Sequence, residues 1–112
     1  MIPSQEQLRR LHAEICSAVA DPIRIAILYA LHERPANVGE ITAQLELPPS
    51  TVSRHLRVLR EAHLVNTERQ GKNIVYTLAD PRIITALDLL CEVHRARITE
   101  RVHVFDTSPT GE

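Results

Sequence analysis

The apolar positions of this chain follow two different spacings. Up to about residue 62 they recur every three or four residues, which is the spacing of amphipathic helices. From Val65 to Leu78 they alternate on either side of Gly71, which is the spacing of a two-stranded β-hairpin. Helical spacing then returns from Arg82 to about Val104. The pattern predicts a mostly α-helical fold with one small hairpin. The earlier helices are expected over Gln5–Val19, Ile23–His32 and Glu40–Leu45, with a fourth that begins near Ser50.

Prolines and capping residues place the helix starts. Asp21 is the expected cap of the second helix, with Pro22 in its first turn. Because proline disrupts a helix interior, the pair Pro48-Pro49 is expected to precede the fourth helix, and Ser50 or Thr51 is expected to cap it. Only three or four residues then separate the third helix from the fourth, which is the spacing of a helix-turn-helix.

The two faces of the fourth helix differ in chemistry. Val52, Leu56 and Leu59 form an apolar stripe that is expected to face the core. The opposite face carries hydroxyl and guanidinium groups, which bind phosphates and guanine edges in the major groove of DNA. A charged face taken alone is more often simply solvated, so the neighbouring segments decide the interpretation. The predicted DNA-binding residues of this helix are Ser50, Thr51, Ser53, Arg54, His55 and Arg57.

The predicted hairpin follows this helix directly. Gly71 can adopt the positive φ of a tight hairpin turn, and Arg69 and Lys72 lie at the tip. A hairpin tipped by cations behind such a helix is typical of a wing that reaches a phosphate or the minor groove. The sequence therefore predicts a winged helix-turn-helix that binds double-stranded DNA through the helix residues above together with Arg69 and Lys72.

Charge is distributed unevenly along the chain. The net charge of the 112 residues is -1, whereas residues 50–72 hold five cations and two acids, so this segment is +3 and the remainder -4. Such segregation favours one nucleic-acid face on an otherwise acidic body. No apolar run is long enough to cross a membrane, so a cytoplasmic protein without a membrane partner is expected, and its two cysteines are expected to be thiols. Neither a phosphate-binding glycine loop nor a catalytic triad is present, so no enzyme is predicted.

Three motifs occur together and in order: Asp21-Pro-Ile-Arg24, Ser50-Thr-Val-Ser-Arg-His-Leu56 and Gly71-Lys72. In this combination the chain resembles the ArsR/SmtB family of winged-helix repressors over about residues 8 to 105. The resemblance implies a homodimer that is formed by the first and last helices, and a repressor that leaves operator DNA when a metal binds or when thiols react. It also implies a histidine at position 55, with a packing or phosphate-binding role. Residues 1–106 are thus interpreted as one DNA-binding and dimerisation domain, followed by a flexible tail over 107–112.

Two metal sites of that family are not predicted here. The position of the Cys-x-Cys box is Asn37–Thr42, which contains no cysteine. The acid and histidine pairs of the zinc-sensing members are imitated by residues on the last helix. However, His94 and His103 are nine residues apart, roughly 900° of helical rotation, which places them on opposite faces unless the helix breaks between them. The imitating residues are Glu92, His94, His103 and Asp106.

Cys16 and Cys91 leave three interpretations open. Each cysteine could be a small buried apolar residue. Alternatively, the two thiols form a switch that is closed by an oxidant or a polysulfide, since both helices are expected at the dimer interface. Thirdly, His12 and His94 stand one turn from these thiols, and two thiols with two imidazoles suit zinc or another soft transition metal. No cofactor is required by the sequence, and metal is predicted only under the third interpretation.

The sequence as a whole predicts a homodimeric repressor that binds a palindromic operator and is released at its interface helices by thiol modification or metal. The alternative is a winged-helix module that binds another protein and senses no effector.

Overall fold

The computed structural model describes the backbone of residues 1–106 and the side chains of residues 1–101. The chain forms two compact units, residues 1–81 and a helical unit that begins at Arg82. The tail predicted over 107–112 lies outside the described residues. The fold is mostly helical with one antiparallel hairpin, as predicted. Its elements are α1 (Gln5–Leu11), a π-helical turn (His12–Cys16), α2 (Pro22–Glu33), α3 (Val38–Leu45), α4 (Pro49–Glu61), β1 (Val65–Gln70), β2 (Asn73–Leu78) and α5 (Arg82–Asp106).

The first helix does not run uniformly to Val19, as its apolar spacing predicts. It is α-helical to Leu11 and widens over the following five residues into a π-helical turn. The cause lies at Ser17, whose hydroxyl donates to the carbonyl of Ala13 at 2.6 Å. That carbonyl is the ordinary α-helical partner of the Ser17 amide, which donates instead to the carbonyl of His12 at 3.0 Å. A serine side chain that competes for a backbone acceptor thus sets the wider turn.

Asp21 caps α2 as predicted, accepting from the amides of Ile23 and Arg24. The helix α4 begins near Ser50, as predicted, but the predicted cap is wrong. Pro48 is the N-cap and Pro49 is the first helical residue, with no side-chain cap from Ser50. The first residue of a helix has no intrahelical partner for its amide and requires a φ near that of proline, so a proline fits this position well. The prolines start the helix; they do not merely precede it.

The core of residues 1–81 is built from α2, α3, α4 and the first residue of the hairpin. Val52, Leu56 and Leu59 have no exposed surface, which confirms the apolar stripe predicted for α4. Ile41 of α3 is also fully buried, so the two helices of the helix-turn-helix pack through apolar side chains. The other buried apolar residues of this unit are Ala18, Ile27, Leu28, Ala30, Leu31, Ala36, Leu64 and Val65.

The hairpin turns at Gly71, as predicted. Gln70 pairs with Asn73, which leaves Gly71 and Lys72 as a two-residue loop, and Gly71 has a φ of 63°. A positive φ at the first loop residue is the arrangement of a type II′ turn, which glycine adopts without strain. Within its second half, β2 is held by the linker before α3, because Ala36 and Tyr76 exchange backbone hydrogen bonds at 3.1 and 2.8 Å.

The last helix, α5, is continuous over Arg82–Asp106. Ile84 and Leu87 are buried, whereas several large apolar side chains further along are exposed. No helix in residues 1–106 has the length and apolar composition that a membrane span requires. The exposed large apolar residues of α5 are Leu89, Leu90, Val93 and Ile98.

Candidate nucleic-acid interface

The exposed face of α4 is a narrow strip of hydroxyl and guanidinium groups. Ser53, Arg54 and Arg57 are all exposed, and at about 100° per residue they fall within roughly one third of the helix circumference. Ser50 and Arg60 are exposed on the same strip, whereas Thr51 is half-buried at its edge. The strip lies opposite the buried side chains of the core stripe, so α4 presents cations outward from a fixed apolar base.

Among the residues that the structure describes, the guanidinium groups of this strip have no ion-pair partner. In the part of the chain that the structure describes, Arg54, Arg57 and Arg60 form no ion pair, whereas Arg9 pairs with Glu6 and Arg10 with Glu14. Their five donors each remain available for a phosphate or for the acceptor edge of a guanine. The arrangement is that of a recognition helix.

His55 does not belong to this strip. Its side chain is 6% exposed, and its Nδ1 lies 3.1 Å from a terminal nitrogen of Arg24 on α2. Position 55 faces the interior, at the side of the helix that packs on α2, so of the two roles expected for His55 the structure favours packing over a DNA contact. The sequence placed it beside Arg54 in the chain, but a step of one residue turns the side chain by about 100°.

The cations of the wing are exposed. Arg69 is the last but one residue of β1 and Lys72 is the second residue of the loop. Tyr76 of β2 is hydrogen-bonded to Ala36, which lies two residues before α3. This bridge connects the wing directly to the helix-turn-helix. Two cationic surfaces, the α4 strip and the wing tip, are thus held by one small core.

The four residues considered as candidate sensor residues are all exposed. His12 and Cys16 begin and end the π-helical turn, and Cys91 and His94 lie one turn apart on α5. Both thiols are exposed in the single chain, so neither belongs to the apolar core that this chain forms alone. Among the described residues, no three His, Cys, Asp or Glu side chains are grouped to hold a metal ion.

The helix α5 is also continuous past position 103. The break that would bring His94 and His103 to the same face is therefore absent from its backbone, and a zinc site at the residues that resemble the zinc-sensing set gains no support. Sequence reasoning missed one residue of this region, Arg24. Its position in the Asp21-Pro-Ile-Arg24 motif was recognised, but its contact is with a residue 31 positions away. Periodicity carries no information about such a contact.

A helix-turn-helix with an outward cationic recognition helix and a hairpin directly after it defines the winged helix-turn-helix class of DNA-binding proteins. The comparisons with known proteins agree. A profile of the bacterial regulatory protein arsR family matches residues 21–67. The HTH-type transcriptional regulator Rv0081 of Mycobacterium tuberculosis is 36% identical over 95% of this chain and 94% of its own length. The crystal structure of Rv0081 superposes with a TM-score of 0.75, covering 85% of this chain and 96% of that one.

Two further relatives come from the same organism. The HTH-type transcriptional regulator CmtR is 37% identical over 89% of this chain and 85% of its own length. The HTH-type transcriptional repressor SmtB is 37% identical over 70% of this chain and 58% of its own length. The chain belongs to the ArsR family of winged helix-turn-helix transcriptional regulators and, like these relatives, is a DNA-binding regulator and not an enzyme.

Proposed function

We propose that this regulator represses transcription by binding a palindromic operator as a homodimer. The observation that carries the proposal is the α4 strip, in which Arg54 and Arg57 are exposed and unpaired within the described chain. The wing adds Arg69 and Lys72 as backbone contacts. Repression is supported by the relative that is named as a repressor.

The apolar surface of the terminal helices favours a dimer, and a dimer would bind a DNA site with two-fold symmetry. Leu8 and Leu11 of α1 are 42% and 47% exposed, and Leu90 of α5 is 62% exposed. Large apolar side chains left in water on both helices favour association of two copies. A helix-turn-helix dimer reads half-sites about 34 Å apart, one turn of DNA, or multiples of that distance.

The proposed function is tested with DNA that the protein itself selects from a random-sequence pool. Wild-type protein should enrich duplexes with an inverted repeat, and its affinity for them should fall steeply as salt is raised. A protein-interaction module on the same scaffold would enrich no sequence and would show no such salt dependence. Failure to enrich any duplex would therefore favour that alternative over the repressor.

The wing makes a separable contribution. Replacing Lys72 with alanine should lower affinity about equally for the selected duplex and for unrelated DNA, because a wing lysine meets the phosphate backbone and not a base. The slope of log affinity against log salt should lose about one unit. Lys72→Arg, which keeps the charge, is the matched control and should keep the slope. An unchanged slope in Lys72→Ala would remove the wing tip from the interface.

For release from DNA, we infer that the effector acts at the exposed thiols of α5 and the π-helical turn. Under a dithiol switch, an oxidant or polysulfide should lower operator affinity and reductant should restore it. A direct disulfide requires Cα atoms within about 7 Å, whereas a polysulfide bridge reaches further. Cys16→Ser or Cys91→Ser alone should abolish the response, because one thiol cannot close the bridge.

A metal site makes a different prediction about the histidines. If zinc or another soft metal binds two thiols and two imidazoles, His12→Ala and His94→Ala should abolish the response together with the serine variants, and a chelator should have the same effect. Under the dithiol switch both histidine variants should respond as wild type does. Fluorescence anisotropy of the selected duplex measures each case. Identical release of the wild type and the double serine variant by every agent would exclude both sensor mechanisms.

A further inference from the structure

The π-helical turn (His12–Cys16) holds one residue more than an α-helical turn would. In an α-helix the amide of residue 17 donates to the carbonyl four residues back, which is that of Ala13. Here the hydroxyl of Ser17 donates to that carbonyl at 2.6 Å, and the amide of Ser17 donates to the carbonyl of His12 at 3.0 Å. A turn of this kind accommodates one extra residue within an otherwise α-helical segment.

The extra residue changes the direction in which α1 presents its side chains. At about 100° per residue, the seven steps from Leu11 to Ala18 in an uninterrupted α-helix would bring both side chains within roughly 20° of one direction. With one residue absorbed by the wider turn, six steps remain in phase and place Leu11 roughly 120° from Ala18. The same rotation moves Leu8 from roughly 80° to roughly 180°. The turn therefore directs both leucines of α1 away from the side on which Ala18 lies.

The exposure of the side chains agrees with this rotation. Ala18 is 2% exposed, whereas Leu8 and Leu11 are 42% and 47% exposed. An apolar stripe that ran unbroken through the first helical segment would instead bring these leucines toward the core side of the chain. The π-helical turn thus leaves both leucines on the outer surface, where a second copy of the chain can cover them.

The chain is held firmly after the turn but not before it. After the turn, the Nε of Arg24 donates to the carbonyl of Ala18 at 2.6 Å, and a terminal nitrogen of Arg24 donates to the carbonyl of Ser17 at 3.2 Å. Before the turn, no residue of α1 is buried, so side-chain packing within residues 1–81 does not fix the rotation of α1 about its axis. The hydrogen-bond pattern of the turn therefore sets that rotation.

We propose that Ser17 is a positioning residue for dimerisation: its hydroxyl keeps the turn π-helical, and the turn directs Leu8 and Leu11 toward a second copy of the chain. Without the hydroxyl, the amide of residue 17 regains the carbonyl of Ala13 and the segment becomes a continuous α-helix. The helix α1 then rotates by about 100° and turns its leucines away from the partner. The inference rests on the proposed function, because the homodimer is part of it.

The first test is Ser17→Ala, which removes the hydroxyl from an exposed position and leaves the core untouched. We expect the dissociation constant of the dimer, measured by sedimentation equilibrium, to rise by roughly tenfold to a hundredfold. Each of the two chains loses one hydrogen bond that holds it in the associating form. Ser17→Thr is the matched control, because a threonine in a helix can bond to the same carbonyl. Its dissociation constant should stay close to that of the wild type.

A one-residue deletion separates the rotation of α1 from every other effect of the hydroxyl. Deleting Ala13 from Ser17→Ala removes the extra residue, so a continuous α-helix presents Leu8 and Leu11 in their original direction. This variant should regain the wild-type dissociation constant. The matched control inserts one alanine after Ala13 in Ser17→Ala. The insertion disturbs the backbone as much but rotates α1 by about 100° in the opposite sense, so the dimer should remain weak.

Two results would overturn the proposal. If Ser17→Ala dimerises as the wild type does, the hydroxyl does not orient α1. If the deletion variant is as weak a dimer as the insertion variant, rotation of α1 is not the cause of the loss. Either result would leave the proposed function standing, because the wild type would still be a dimer that binds its selected duplex. A wild-type protein that sediments as a monomer would overturn the homodimer and this inference with it.

Discussion

Replacing Arg54 and Arg57 together with alanine is expected to weaken binding to the selected duplex by at least about 30-fold. Each arginine that binds a guanine edge contributes about 1 to 3 kcal/mol, and the loss of two such contacts adds when they read different bases. Both side chains are exposed, so the core beneath them should be unaffected. Anisotropy measures the affinity, and thermal denaturation at the same pH should show an unchanged midpoint.

Two controls separate base reading from charge. Arg54→Lys with Arg57→Lys keeps the attraction to phosphates but not the fork that binds a guanine, so sequence preference should fall while affinity for unrelated DNA persists. Arg9→Ala with Arg10→Ala removes the same charge from α1, where both residues pair locally with Glu6 and Glu14. That variant should bind almost as the wild type does. Equal affinity of the wild type and the double alanine variant of α4 would exclude α4 as the recognition helix.

The substitution Leu90→Glu is expected to dissociate the dimer and abolish operator binding together. The Leu90 side chain is 62% exposed, and it lies on the stripe with Leu87, Cys91 and His94. A carboxylate buried at the proposed interface without a compensating cation would cost several kcal/mol. Sedimentation velocity at micromolar concentration measures the first effect, and anisotropy measures the second.

The matched control is Thr85→Glu, which adds the same carboxylate to an exposed position near the opposite side of α5. It should leave both the dimer and the affinity unchanged. A wild-type protein that sediments as a monomer at micromolar concentration would contradict the two-fold operator and would leave each half-site to be bound alone.

The elements of this fold could be predicted from local patterns because each is set by residues close in sequence. The buried stripe of α4, the cap at Asp21 and the two-residue loop at Gly71 all follow from spacing, side-chain acceptors or a required φ. The π-helical turn could not be predicted in this way. It depends on a competition for one carbonyl that the hydroxyl of Ser17 wins, and apolar spacing is nearly the same in both kinds of turn.

In the candidate site too, residues placed by local spacing could be predicted, and residues placed by contacts between distant segments could not. The cationic strip was predicted because helical spacing places Arg54 and Arg57 together, whereas the sequence left open whether His55 packs inward or binds a phosphate. Its partner Arg24 comes from another helix, and only the packing of α2 against α4 brings the two groups together. The exposure of Cys16 and Cys91 could not be derived either, since a cysteine among apolar residues has the same local pattern whether it is buried or at a surface.

The backbone bridge between Ala36 and Tyr76 provides a fixed point about which the rest of the wing can tilt. The strand is clamped at Tyr76, and Lys72 lies four residues beyond that point, about 13 Å at the rise of an extended strand. Tilting the strand by roughly 10° about this clamp displaces the tip by about 2 Å, enough to make or break a hydrogen bond to a phosphate. If the wing and α4 contact DNA as proposed, the cation at the tip would follow grooves of different width while the recognition helix stays in place, and the two contacts would tolerate bent and straight duplexes to different degrees.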